Sequence, residues 1–442
     1  MGRLFGTDGV RGVANRDLTS DLVVALGRAA GQVLAPDGGT VVVGRDTRLS
    51  GPMLESALVA GLTSAGADVS LAGIVPTPAV AYLCLDERAV AGAVISASHN
   101  PVDDNGIKFF SDEGLKLAEG IEDQIEDRLE HPEHPAKHGD DVGRVEDLAD
   151  APTRYIAHVL GAIDGALDGL RVVLDCAFGA AYSIAPQAFR EAGADVIAIN
   201  CEADGSRINV DCGSTSLGQV ARKVVAERAD LGVAFDGDAD RALAVDEQGH
   251  TIDGDHILAM SAVRMHAAGE LKNDLVVATV MANLGFVRAL EQRGITVVAA
   301  PVGDKFVAEA MADHSAVLGG EQSGHLIYGM HSTTGDGVLT ALKLAEALAS
   351  SDQTLSDLAR VFDPYPQVLI NVQVRDRGAL DSARILWDEV RAAEERLGDD
   401  GRVLLRASGT EPVVRVMVEA LQQETAEATA RALAASVERH LA

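Results

Sequence analysis

Asp236, Asp238 and Asp240 alternate with Gly237 and Ala239, so a looped backbone can turn three carboxylates onto one cation. Hard oxygen ligands of this kind suit Mg²⁺ or Ca²⁺ and not zinc. An EF-hand calcium loop, D-x-[DN]-x-[DN]-G-x₅-E, is the nearest alternative, because Glu247 stands at its twelfth position. The match breaks at the sixth position, where the sharp turn needs Gly and the chain has Arg241. The flanking runs Leu231–Phe235 and Ala242–Val245 also read as strands, not as helices. A solvated acidic turn without an ion is the other alternative, but three carboxylates with only Arg241 beside them repel one another. Mg²⁺ commonly takes one or two carboxylates together with phosphate oxygens and water. The three aspartates therefore leave room for a phosphate ligand.

A source for that phosphate stands in Ser96-Ala97-Ser98-His99-Asn100-Pro101, directly after the apolar run Ala91–Ile95. A serine beside a histidine on such a turn is a candidate nucleophile or phosphate carrier. The plain alternative is a helix cap or turn, which Ser and Asn also favour. A phosphorylated Ser98 joins the two motifs, since the cation would polarise the phosphoryl group that moves. Gly319-Gly320-Glu321-Gln322-Ser323-Gly324-His325 reads as a loop that brings polar groups to a hydroxyl-rich ligand. Arg406-Ala407-Ser408-Gly409-Thr410-Glu411-Pro412, followed by Arg415, has the make-up of a phosphate cradle. Arg11, Arg45 and Lys108 stand in Gly-containing segments read as loops and are further candidate contacts. Neither G-x-x-x-x-G-K-[ST] nor a strand-borne G-x-G-x-x-G is present, so ATP is not expected as the phosphoryl donor.

These loops need a scaffold that presents them at strand ends. Short β-branched runs followed by helix-like stretches recur, which indicates βαβ units and parallel sheets. The rhythm restarts near residues 40, 171 and 275. We read it as an α/β protein with three similar α/β domains of mixed, mostly parallel sheets and a smaller C-terminal α+β domain. The expected boundaries are 1–150, 151–253, 254–364 and 365–442. Residues 131–153 and Asp363-Pro364-Tyr365-Pro366 read as junctions. Hydrophobic residues are 47% and aromatics only 3%, so the cores must be built from Val, Ala, Leu and Ile. A net charge of −30 argues against a nucleic-acid partner, and it requires the cations that meet an anionic substrate to be gathered in few places. Cys84, Cys176, Cys201 and Cys212 form no C-x-x-C pair and are expected as buried, reduced thiols. With no signal-like N-terminal core and no apolar stretch of membrane-span length, the expected location is the cytoplasm, with no membrane partner.

The assembled motifs resemble the α-D-phosphohexomutase family almost end to end. They are FGTDGVRG at 5–12, GRDTR at 44–48, ISASHNP at 95–101, DNGIKFF at 104–110, FDGDADR at 235–241, GGEQSGH at 319–325, YPQVL at 365–369 and RASGTEPVVRV at 406–416. The resemblance implies four domains, and a reaction taking glucosamine 6-phosphate to glucosamine 1-phosphate through a bound glucosamine 1,6-bisphosphate. That product would feed UDP-N-acetylglucosamine and cell-wall precursor synthesis. It implies Ser98 as carrier, and one Mg²⁺ held by the Ser98 phosphate, Asp236, Asp238 and Asp240. Lys108 and His325 match acid–base positions, with Arg11 and His99 also among the catalytic candidates. Glu321 and Ser323 would hold sugar hydroxyls, and Arg406, Ser408, Gly409, Thr410 and Arg415 the non-reacting phosphate. An activating kinase or bisphosphate donor would supply the first phosphate, and a homodimer is compatible with the pattern. Glucose and mannose phosphates are the alternative substrates within the family. Lys305 departs from it: relatives commonly carry Val-Gly-Asp-Arg-Tyr where this chain has Val302-Gly303-Asp304-Lys305-Phe306. Lys cannot make the bidentate phosphate contact that Arg can. A metal-dependent hydrolase and a calcium-binding non-enzyme are the readings from other classes. The hydrolase would need no separate phosphate cradle.

Overall fold

The computed structural model of the chain describes residues 4–6, 8–131, 137–407 and 412–441. Strand Thr40–Arg45 carries Val41, Val42 and Val43, all fully buried, so both faces of its sheet are covered. It lies between Asp68–Ile74 and Ala91–Ile95, parallel to both. Asp104–Ser111 then runs antiparallel to Ala91–Ile95, and Val10–Val13 antiparallel to Asp104–Ser111. Val145–Asp147 closes the other edge of this six-stranded sheet.

The same pattern occurs twice more. Arg171–Asp175 lies between Asp195–Ile199 and Leu231–Phe235, parallel to both, and Ala242–Asp246 returns antiparallel to Leu231–Phe235. Leu275–Thr279 lies between Thr296–Ala300 and Leu318–Gly320, again parallel, and Leu326–Tyr328 returns antiparallel. The three central strands begin where the sequence rhythm restarts. In each repeat the turn between the last parallel strand and its antiparallel partner is a chemically rich segment: 96–103, 236–241 and 321–325. One topological position thus carries the serine loop, the acidic loop and the glycine-rich loop.

Helices are started by side chains suited to the task. Thr19, Asp253, Asn283 and Asp336 each accept a backbone N–H at the start of Ser20–Leu34, Gly254–Ala268, Leu284–Glu291 and Gly337–Ala349.

The chain divides into two compact units, Met1–Met281 with Ile295–Arg360, and Ala282–Gly294 with Val361–Ala442. The second is built on the antiparallel sheet Gln367–Gln373, Val413–Ala420, Gly401–Ala407, backed by helices Arg384–Leu397 and Gln423–Leu441. Leu284–Glu291 belongs to this unit through its packing. Asn283 exchanges hydrogen bonds with the Tyr365 backbone, and Phe286 meets Phe362 edge-on at 6.0 Å.

Three local expectations change. The stretch 131–153, read as a junction, includes edge strand Val145–Asp147, whose three exposed residues leave no apolar pattern to read. Arg11 and Lys108, read as loop residues, stand on strands Val10–Val13 and Asp104–Ser111. Gly106 interrupts the second of these in sequence, but Ile107, Phe109 and Phe110 are buried as a strand requires. Cys84, Cys176 and Cys212 are buried free thiols, while Cys201 is only half-buried. Among the described residues no helix is long and apolar enough to cross a membrane.

Candidate active site

Ser98 sits at the end of a fully buried strand, with 1% of its surface exposed. Its backbone is left-handed, at φ 50°, an uncommon conformation for a residue with a side chain. Its hydroxyl donates to Asp236 Oδ2 at 2.5 Å and lies 3.2 Å from His99 Nδ1. Ser96, the other serine of the turn, is occupied structurally. Its hydroxyl donates to Asp46 Oδ2 at 2.6 Å and accepts the Ser98 N–H at 2.9 Å. The acidic loop reaches the serine loop only because Gly237 lacks a side chain. A Cβ there would lie 2.5 Å from the Ser98 carbonyl oxygen.

Asp236, Asp238 and Asp240 are buried, with one oxygen of each within 4.8 Å of the others. Asp236 Oδ1 accepts the Arg241 N–H at 3.2 Å, and Asp238 Oδ2 accepts the Thr77 hydroxyl at 2.6 Å. Asp238 Oδ1 and Asp240 Oδ1 are buried and accept no hydrogen bond. Burial, with Asp240 and Asp238 alongside, pushes Asp236 well above the ordinary carboxylate range. Burial and Asp240 push Asp238 up as well. An all-oxygen set with buried, unbonded acceptors and crowded like charge fits a hard divalent cation, which would satisfy the oxygens and offset the repulsion. The loop is a β-hairpin turn without flanking helices, and Glu247 is engaged with Ser356, so it is not an EF-hand.

Cations ring this cluster. Lys108 Nζ lies 2.9 Å from Asp8 Oδ1 and 3.9 Å from Asp240 Oδ2. Burial would lower the Lys108 pKa, but Asp8 and Asp240 outweigh it and keep the ammonium charged. Arg11 pairs with Asp8, and Lys116 with Asp8 and Asp304. Arg241 Nε is 3.8 Å from Asp240 Oδ1. Burial and the neighbouring Arg241 and Arg11 charges push His99 down to about 4, so its imidazole is neutral near pH 7.

His325 is tied at both nitrogens. Nε2 accepts the Gly335 N–H at 3.0 Å, and Nδ1 faces Asp240 Oδ2 at 3.5 Å. The tautomer protonated on Nδ1 satisfies both. Gly335 approaches the ring so closely that a Cβ there would come within 2.4 Å of it. Burial pushes Asp240 up, but the bond from His325 and the charges of Lys108 and Arg241 prevail and hold its carboxyl low. In the same loop Glu321 Oε1 accepts the Gly303 N–H at 3.1 Å, and the Ser323 hydroxyl is buried without a partner. Lys305 Nζ meets Glu119 at 3.1 Å. Arg45, a sequence candidate, pairs with Glu55 instead of entering the cluster.

In the second unit Arg406 and Arg415 stand opposite each other on paired strands. Burial and the Arg415 charge lower the Arg406 pKa, so two guanidiniums are crowded at this point of the sheet. Ser408, Gly409 and Thr410 lie outside the described residues.

Sequence reasoning passed over Asp8, Arg48, Thr77, Lys116, Asn209 and Arg241 as contributors. The available signal for Arg48 and Arg241 was an arginine closing a motif that already held aspartates. Thr77 and Asn209 offered none, since their partners are 161 and 111 residues away.

A phosphotransfer enzyme is the class that the repeated fold and the serine–aspartate cluster define. The phosphoglucomutase/phosphomannomutase models match in four parts: alpha/beta/alpha domain I at residues 2–135, domain II at 153–249, domain III at 253–365 and the C-terminal domain at 369–436. The chain belongs to this family, the α-D-phosphohexomutases, and is an intramolecular phosphotransferase of the isomerase class. It is 52% identical to the phosphoglucosamine mutase of Frankia alni over 447 residues, which cover 99% of this chain and 98% of that one. It is also 52% identical to the phosphoglucosamine mutase of Rhodococcus jostii over 446 residues, covering 99% of each. Among solved structures, a phosphoglucomutase/phosphomannomutase family protein from Burkholderia thailandensis matches with a TM-score of 0.85 and 27% identity, over 99% of this chain and 97% of that one. An Aspergillus fumigatus N-acetylphosphoglucosamine mutase, solved with GlcNAc-6P and magnesium, shares the fold with a TM-score of 0.68 and 19% identity, over 99% of this chain and 96% of that one.

Proposed function

We propose that the chain interconverts glucosamine 6-phosphate and glucosamine 1-phosphate, with Ser98 as the phosphate carrier. The observation that carries this reading is the buried Ser98 hydroxyl at 2.5 Å from Asp236, beside two buried carboxylate oxygens that accept no hydrogen bond. The 52% identity to phosphoglucosamine mutases over nearly the whole chain supports the choice of substrate.

In the forward direction the sugar C1 hydroxyl attacks the Ser98 phosphoryl group. The P–Oγ bond breaks, a P–O1 bond forms, and the hydroxyl proton leaves with a base. The resulting glucosamine 1,6-bisphosphate turns in the site, and the Ser98 hydroxyl attacks its 6-phosphoryl group: a P–Oγ bond forms, the P–O6 bond breaks, and O6 takes up a proton. Asp236, Asp238, Asp240 and the Ser98 phosphate would hold one Mg²⁺, which when bound would supply Lewis-acid stabilisation of charge on the phosphoryl oxygens. Arg11, Lys108 and Arg241 add fixed positive charge beside the moving group. Lys108, kept protonated by Asp8 and Asp240, is suited to donate a proton. His325 has both nitrogens engaged, which favours a role in orienting Asp240. Neutral His99 lies 3.2 Å from the Ser98 hydroxyl, whose proton is directed to Asp236 Oδ2 in the unphosphorylated enzyme. Glu321 and Ser323 hold sugar hydroxyls. Arg406, Ser408, Gly409, Thr410 and Arg415 take the non-reacting phosphate.

The proposed setting is the cytoplasm, with a kinase or bisphosphate donor supplying the first phosphate. The proposed domain boundaries are 1–150, 151–253, 254–364 and 365–442. Steady-state rates with glucosamine, glucose and mannose 6-phosphates and Mg²⁺ test the substrate. We expect kcat/KM to favour the aminosugar by about tenfold or more. Equal or greater turnover of glucose or mannose phosphate would overturn the choice.

A further inference from the structure

The fully buried Arg48 is committed to backbone oxygens of the serine loop. Its Nη2 donates to the Ser98 carbonyl and the Asn100 carbonyl, both at 2.9 Å. Its Nη1 donates to the Asp104 carbonyl at 2.8 Å and also to the Pro101 carbonyl. Its Nε is anchored on Asp46 Oδ2 at 3.0 Å. The same Asp46 oxygen accepts the Ser96 hydroxyl, which accepts the Ser98 N–H. Ser98 is therefore held at its carbonyl by Arg48 and at its amide by Ser96, with Asp46 joining the two. Asn209 adds a second donor to the Ser98 carbonyl at 2.9 Å.

We propose that Arg48, Asp46 and Ser96 form a positioning unit that fixes Ser98 in its left-handed conformation and aims its hydroxyl at Asp236. A guanidinium offers five donors in a rigid fork, which can gather several carbonyls of one turn where an ammonium cannot. A left-handed serine persists only when its surroundings over-determine it, and here both its peptide groups are bonded into the unit. None of the three touches the reacting atoms. They act through Ser98, so their loss should slow chemistry more than it weakens substrate binding.

The inference rests on Ser98 being the carrier, and Ser96→Ala is its mildest test, because it removes one hydroxyl. Arg48→Lys is the second variant, keeping charge and losing the fork. Both are measured for Tm, kcat, KM and phosphate bound at Ser98 after treatment with a sugar bisphosphate. We expect Ser96→Ala to lower kcat by about ten- to a hundredfold with KM within about twofold, at a Tm close to the parent's. Phosphorylation of Ser98 should be slowed in the same proportion. Arg48→Lys should lower kcat further. Unchanged kcat in a folded Ser96→Ala enzyme would overturn the positioning role, as would losses of kcat that match losses of folded protein in both variants. A parent enzyme with no phosphate on Ser98 would instead overturn the carrier assignment.

Discussion

The chemistry open to each single residue depends on which of its atoms are already engaged. Ser98→Ala removes the proposed phosphate carrier and should lower kcat by about three powers of ten or more in a folded protein, measured with saturating Mg²⁺. Thr77 tests the cation site from behind. Its hydroxyl donates to Asp238 Oδ2, while Asp238 Oδ1 is buried and accepts no hydrogen bond. Thr77→Val keeps the shape and loses that bond, so Mg²⁺ affinity, titrated by activity and by calorimetry, should weaken by about tenfold. An unchanged affinity would mean that Asp238 is not oriented this way. Ser98 and the three aspartates were legible in sequence because each stands in a short motif whose residues are also neighbours in space. Thr77, Arg48 and Asp8 were not, because their meaning depends on long-range contacts between repeats. The family resemblance pointed to Ser98 and not Ser96, and the structure adds that the Ser96 hydroxyl is engaged with Asp46.

At the scale of elements, the buried strands were the readable part. Leu231–Phe235 and Ala91–Ile95 are apolar on both faces and read as central strands from composition alone. Edge strand Val145–Asp147 is exposed at every residue and gave no such pattern. Helix starts carry their own chemistry, and the one at Gly337–Ala349 makes a pH prediction. Asp336 Oδ1 accepts both the Leu339 N–H and the Tyr155 hydroxyl, and burial pushes this carboxyl up to about 6. Its folded pKa is thus above the unfolded one. The stability linked to the neutral form is complete below about pH 4 and is lost as pH rises through about 6. Asp336→Asn cannot titrate there. The stability of the variant relative to the parent should therefore improve by about 2–3 kcal/mol between pH 4 and pH 7, as read by denaturant unfolding. A pH-independent difference would contradict the assignment.

At the scale of the whole molecule, the three restarts in the sequence correspond to three sheets of one design, and each places its functional loop at the same turn. That equivalence was hidden in the sequence, because the three loops follow no common motif: a serine turn SASHNPVD, an acidic turn DGDADR and the turn EQSGH. The rhythm could not reveal either that Leu284–Glu291 packs with the C-terminal unit. Its pattern follows a strand as in any βα unit, whereas its partners, Tyr365, Phe362 and Glu419, come much later in the chain. Native-state hydrogen exchange should accordingly show the amides of Leu284–Glu291 opening together with Val413–Ala420, and not with Leu275–Thr279. The net charge of −30 is reconciled with an anionic substrate by concentrating Arg11, Lys108, Lys116 and Arg241 around the aspartates.

The most direct measurement of the central claim is phosphopeptide mapping by mass spectrometry after incubation with isotopically labelled glucosamine 1,6-bisphosphate. The account predicts one labelled phosphate per chain, on the peptide containing Ser98. Chase with unlabelled glucosamine 6-phosphate should remove it and return the label in sugar phosphate. Label on another residue, or release only as inorganic phosphate, would contradict it.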